Sequence, residues 1–250
     1  MDPDVVAALV RLIEYKDRST AAHTWRVVLY TRALAEHMGM DPSVIDRLGT
    51  AAALHDIGKL DIPDQILQKP TGLTEEEYAV MQQHAALGHA RLLAMRETDP
   101  ILLNLVRHHH ERYDGTGYPD GLAAEGIPAE ARWFTVIDSF DAMTSLRPYH
   151  TEVGRDAAGR AIAELRGLAG VRYDPGAVRL FAGLFERGEL DWILGYFNQE
   201  RAAQGGAGTG APDQGQLDAV VSGVSHRDVL RAPVGQVRTK VSRAEPGQGR

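Results

Sequence analysis

The stretch AAALHDIGK, residues 51–59, joins three alanines and a leucine directly to a histidine, an aspartate and a lysine. An apolar run of this kind belongs to a buried helix. A charged residue at its end is costly unless it is paired or bound to a metal. His55 and Asp56 near a helix end can converge on one ion: the imidazole gives a neutral nitrogen and the carboxylate an oxygen able to bridge two cations. A cap or a buried ion pair is the competing reading. A metal set needs partners from other helices, and His23, His84, His109, His110 and Asp138 offer them, each flanked by apolar residues that would aim it inward. His37, His89 and His226 read as surface or hydrogen-bonded histidines, and His108 adjoins the set without an evident place in it.

Outward from this stretch the chain reads as helix after helix. Aspartate followed by proline recurs at Asp2-Pro3, Asp41-Pro42, Asp99-Pro100 and Asp174-Pro175, with Asp as N-cap and Pro at the first helical position. Thr74 and Glu77 form a capping box before a helix expected to run through Met81 and His84. Val27, Tyr30 and Leu34 keep helical spacing. No alternating apolar run with hairpin turns precedes residue 200, so the expected fold class is all-α. Loops are expected at Gly72-Leu73 and at 114–121, DGTGYPDG, which is too rich in Gly and Pro for a helix. The first 200 residues read as one domain. After that the composition turns to AAQGGAGTGAPDQGQ, a flexible linker. Residues 227–250 carry six Arg or Lys against two acids, a local charge of +4, with apolar residues too scattered for a core. Residues 201–250 therefore read as a mostly disordered basic tail.

Charge and composition narrow the function. Hydrophobic residues are 44% of the 250 and charged residues 24%, ordinary for a globular protein. A net charge of −7 argues against a broad basic surface for a nucleic-acid polymer. A phosphate substrate would need positive charge supplied locally, by metals and a few Lys or Arg. There are no cysteines, so any metal must be held by His, Asp or Glu. The N-terminus reads as neither signal peptide nor membrane span, so a cytoplasmic protein that does not enter the membrane is expected.

Five longer words make the pattern specific: HTWRV at 23–27, LHDIGKLDIPDQILQKP at 54–70, LTEEEYAVMQQHAALG at 73–88, HHERYDGTGYPDGL at 109–122 and ARWFTVIDSFDAMTSLRPYH at 131–150. Over roughly residues 5–190 the chain resembles the HD-GYP family of the HD phosphohydrolase superfamily, cyclic di-GMP phosphodiesterases. The resemblance implies an HD-type helical bundle with a central metal site holding two divalent metal ions, iron or manganese rather than zinc. His23, His55, Asp56 and Asp138 would hold one, and His84, His109 and His110 the other, with Asp56 bridging. It implies a metal-activated hydroxide attacking phosphorus in line. Lys59 matches the family's phosphate-contacting lysine and would stabilise developing charge, and Asp56 and Lys59 are the expected catalytic residues. A helix-terminal charge is the plainer reading of Lys59. Arg147 matches an arginine that grips substrate phosphate, against a surface salt bridge. Asp141 is expected to support the ligands rather than bind metal. Gly117, Tyr118 and Pro119 form either a rigid turn or a docking surface for GGDEF-domain partners.

The chain departs from the family pattern in places. Ser19 stands where members with a third metal carry a glutamate, so two metals and a linear pGpG product are expected, with further hydrolysis to GMP less favoured. His150 replaces a basic residue often found three positions after the arginine, and Tyr173 opens the word usually read FDP. Two other functions are open: an HD-type hydrolase of a different nucleotide, and a weakly active module that signals by binding cyclic di-GMP or a GGDEF protein.

Overall fold

The computed structural model describes residues 1–17, 21–145, 155–194 and 226–244. The element order begins α1 (Pro3–Lys16), α2 (Ala21–His37) and α3 (Pro42–Leu54). A 3₁₀ turn follows at Ile57–Asp61, then α4 (Asp64–Leu67), α5 (Glu75–Gln82), α6 (His84–Ala94) and α7 (Pro100–His108). Next come α8 (Ala129–Thr144), α9 (Arg155–Gly167), α10 (Pro175–Glu186), α11 (His226–Arg231) and α12 (Val234–Ala244). Among the described residues no strand forms; pairing is limited to isolated bridges, Asp114 with Ala123 and Ala169 with Tyr173. The all-α expectation holds.

Each Asp-Pro word starts a helix, and at α1, α7 and α10 the aspartate side chain accepts a backbone N–H of the first turn. The capping box at Thr74 and Glu77 is present on both sides. The helix it opens stops at Gln82 and does not run through His84. His84 starts a new helix, and its Nδ1 donates to the Met81 carbonyl at 2.8 Å. The 3₁₀ turn also crosses α6 here: a Cβ on Gly58 would lie 1.8 Å from the His84 carbonyl oxygen. Only glycine permits that approach, which is why the GK of HDIGK is part of the fold as well as of the site.

The core is built by α2, α3, α7 and α8, with α9 and α10 closing the far side of α8. Leu54 and Ile57, on either side of the HD pair, are fully buried, and burying each such side chain stabilises by about 1.5–3 kcal/mol. Tyr30 meets Phe140 and Phe181 edge-on, at centroid distances of 5.6 and 5.9 Å. His55 and Asp56 therefore sit at the end of a helix held rigidly in the core.

Within the stretch read as a basic tail, residues 226–244 are helical. They form α11 and α12, which pack on α1, α2 and α3, with Val229, Leu230 and Val237 buried. Arg32 donates to the carbonyls of Leu230 and Ala232, at 2.5 and 3.1 Å. Glu36 accepts the Val234 N–H at 2.8 Å. The apolar residues too scattered to form a core of their own find one already built by the bundle.

Candidate metal centre

The seven expected ligands come together. His23 enters from α2, His55 and Asp56 from the end of α3, His84 from the first residue of α6, and Asp138 from α8. His109 and His110 follow directly on α7. Two triads result, His23 with His55 and Asp138, and His84 with His109 and His110; in each the potential ligand atoms all lie within 4.8 Å of one another. Asp56 lies between them, with Oδ2 3.2 Å from His55 Nε2 and Oδ1 3.5 Å from His84 Nε2.

Backbone and carboxylate acceptors fix which nitrogen faces the centre. Nδ1 of His55, His84 and His109 lies 2.8, 2.8 and 2.9 Å from the carbonyls of Ala52, Met81 and Val106. A carbonyl only accepts, so each Nδ1 carries the proton and each neutral ring presents an Nε2 lone pair inward. His23 Nδ1 donates to Asp141 Oδ2 at 2.8 Å in the same sense. Facing nitrogens then approach closely: His23 Nε2 and His55 Nε2 are 3.4 Å apart, and His84 Nε2 and His109 Nε2 are 3.3 Å apart. Lone pairs so placed repel unless a cation or proton lies between them. The donor set thus fits divalent metal ions, and its N/O character without sulfur suits borderline to hard ones.

The electrostatics divide the site. Burial, with the neighbouring histidines, holds His109 and His110 well below the ordinary histidine range. His84 is lowered chiefly by burial. Burial opposes charge on His55 too, but Asp56 and Asp138 outweigh it and raise its pKa. Asp56 is buried, yet His55 and Lys59 keep it well below the usual carboxylate range. The three-histidine side is therefore neutral and ready to ligate at neutral pH, and the charge is concentrated around Asp56.

Lys59 lies in the 3₁₀ turn rather than on a continuing helix. Its Nζ reaches Asp56 Oδ2 at 2.8 Å and Asp17 Oδ2 at 3.0 Å. Burial disfavours its charge, but the two carboxylates reverse this and raise its pKa. Asp17, just past α1, was not singled out in the sequence: a lone acid after an amphipathic helix reads as a solvated end. Asp141 lies on the Nδ1 side of His23, outside the two clusters of ligand atoms. It is fully buried, accepts from His23, and is clamped by Arg26 Nε at 2.6 Å and Nη2 at 3.0 Å. Arg26, three residues after His23, is the other residue the sequence reading missed; its signal was the helical spacing that puts the two on one face.

The loop after His110 folds back onto the site. Tyr118 N–H donates to the His110 carbonyl at 3.3 Å, and the two rings lie 4.8 Å apart at 31°. Gly115 and Gly121 have φ of +82° and +66°, the turn role expected of the loop's glycines. Gly117 serves differently: a Cβ there would lie 2.3 Å from the Arg112 nitrogen and 2.5 Å from Glu111 Cα. Glu111, 1% exposed, accepts the N–H groups of Asp120 and Leu122 at 2.8 and 3.1 Å and latches the far end of the loop. His108 belongs to this latch, its Nδ1 3.4 Å from Asp120 Oδ2. Asp120 is itself held through both oxygens by Arg107. Arg147, His150 and Ser19 lie outside the described residues.

Residues 7–177 match the HD domain family model. Among curated relatives, the chain is 40% identical over 204 residues to the cyclic di-GMP phosphodiesterase response regulator RpfG of Xanthomonas campestris pv. campestris, covering 81% of this chain and 52% of that protein. It is 43% identical over 184 residues to a cyclic di-GMP phosphodiesterase of Thermotoga maritima, covering 72% of this chain and 49% of the relative. The chain thus spans about half the length of each. Among solved structures the fold resembles Bd1817, an HDG"Y"P protein from Bdellovibrio bacteriovorus, with a TM-score of 0.53 and 20% identity, over 67% of this chain and 53% of that one. No helix among the described residues is long and apolar enough to cross a membrane. A match over most of the chain, joined to a bundle that gathers the HD pair with further histidines and an aspartate from separate helices, establishes that the protein belongs to the HD domain family.

Proposed function

We propose that this chain is a metal-dependent phosphodiesterase of the HD-GYP type, that its substrate is cyclic di-GMP and that its product is linear pGpG. The observation that carries the reading is the pair of triads with Asp56 between them, a donor set suited to two ions. The names of the relatives described above support the substrate.

In this reading His23, His55, Asp56 and Asp138 would hold one ion, and His84, His109 and His110, with Asp56, would hold the other. Iron or manganese suits these ligands. When bound, two such ions activate water and clamp the attacked phosphate. The chain's own groups do the rest. Asp141 and three backbone carbonyls hold the Nδ1 proton of His23, His55, His84 and His109 and so turn their Nε2 inward. Lys59, held in its charged form by Asp17 and Asp56, offers an ammonium to charge developing on the phosphate oxygens. Arg147 would grip a phosphate further from the attacked one.

Docking of a GGDEF-domain protein at Gly117, Tyr118 and Pro119 is a separate proposal. These residues are partly exposed, which supports it, but the Tyr118 ring is already engaged on His110.

The test is an assay of metal-reconstituted protein, prepared without oxygen, against cyclic di-GMP and other cyclic dinucleotides, with Asp56→Ala as control. Conversion of cyclic di-GMP to pGpG by the parent alone is expected. Preference for a different cyclic dinucleotide would replace the substrate, and no turnover with full metal content would reject the enzyme reading.

A further inference from the structure

Helix α1 is apolar on two sides. Val6, Val10 and Ile13, at helical spacing, are buried against the bundle. On the outer side Val5, Ala8, Leu12 and Tyr15 recur at intervals of three, four and three residues, and all four are exposed, Leu12 by 53% and Tyr15 by 69%. A helix with one face in a core ordinarily turns polar residues outward. A second apolar stripe with alternating three- and four-residue steps is the seam of a helix that packs on another helix. Among the described residues the stripe stays exposed, while α1 packs against the 3₁₀ turn, α3 and α11.

The charges beside the seam identify the partner. Asp2 and Asp4 lie at the start of α1, and Arg11 and Lys16 toward its end, Lys16 already pairing with Asp64 at 2.7 Å, so that Arg11 is the cation open to a partner. A second α1 running parallel would place acid beside acid and base beside base. One running antiparallel would place the acidic half of each helix against the basic half of the other, and would also set the two helix dipoles in opposition. The surface is therefore complementary to itself, as a two-fold interface must be. We propose that α1 pairs antiparallel with α1 of a second copy of this chain, through Val5, Ala8, Leu12 and Tyr15. The Met1 nitrogen lies 3.7 Å from Glu97, which brings the α6–α7 turn, with its exposed Met95, to the same end of the helix and widens the contact. Fourteen residues span about 21 Å, so a single pair of helices makes a small interface.

Sedimentation of the full chain over a wide concentration range tests this. A concentration-dependent dimer is expected, and a monomer throughout would overturn the proposal. Leu12→Glu, at an exposed position, should abolish the dimer without lowering the melting temperature. A dimer that survives it uses another surface, which would also overturn the proposal. Arg11→Glu should weaken the dimer by roughly threefold to thirtyfold, since two-fold symmetry doubles each exposed contact, and adding Asp4→Lys should restore it. If Arg11→Glu instead tightens the dimer, the helices run parallel and the geometry proposed here is wrong.

Discussion

Asp141 accepts the Nδ1 proton of His23 at 2.8 Å, across 118 residues of chain, while Arg26 holds both oxygens of the same carboxylate. That contact leaves Nε2 of His23 facing His55, 3.4 Å from its Nε2.

Asp141→Asn should therefore keep the fold and weaken metal binding by about 10–100-fold, since an amide can present its N–H₂ to His23 and favour the wrong tautomer. Competition with a graded chelator measures this. Unchanged affinity would show that His23 needs no such support. The pH dependence has a definite sign. Burial works against the Asp141 carboxylate, but Arg26 and His23 hold its pKa well below the ordinary value. Its contribution to stability is complete above the ordinary carboxylate range, near 3.9, and is lost as pH falls through the lower folded value. Acid unfolding of Asp141→Asn should accordingly be shallower than that of the parent.

Asp56→Ala should abolish turnover and lower bound metal, because it removes the carboxylate that faces both triads and leaves two cations to repel each other. Metal analysis of the purified variant checks the assignment. Full metal content with full turnover would sink it.

Lys59→Ala should leave metal content near normal and cut turnover by roughly tenfold to a thousandfold, the scale for one electrostatic contact to a transition state. Loss of metal instead would make Lys59 a structural partner of Asp17 and Asp56.

Gly117→Ala should destabilise the fold by about 1–3 kcal/mol, the usual cost of overpacking. The added methyl meets backbone at 2.3 Å, which cannot swing aside as a side chain would. The displaced loop should also lift Tyr118 from His110 and lower metal retention. Thermal melts with and without metal separate the two effects. A variant as stable as the parent would show that the loop yields freely.

Truncation after residue 225 should lower the melting temperature by several degrees, about 2–4 °C for each kcal/mol lost in a chain of this size. It removes the buried Val229, Leu230 and Val237 and strips Arg32 of two carbonyl acceptors. An unchanged melt would mean that α11 and α12 add nothing to stability.

Much of this protein is local in its cause, and that part was legible in the residues alone. A helix start depends on a cap and a proline within four positions, so each Asp-Pro word marked its helix correctly, and the HD pair could be placed at the end of a buried run. The candidate ligands could be grouped because costly residue types stood in apolar surroundings and the words resembled a known family. What the tertiary structure decided are relations between segments far apart in sequence. Gly58 crosses against His84, where a helix expected to continue gives way to a new one. Asp17 and Arg26 took their roles from partners 42 and 115 residues away, Lys59 and Asp141. Residues 226–244 lack enough apolar side chains to fold alone, and their helices form against a surface that the rest of the chain supplies. Local free energies favour a cap or a helical face in any context, whereas burial and ion pairing depend on what the other segments bring, and only the assembled bundle specifies that.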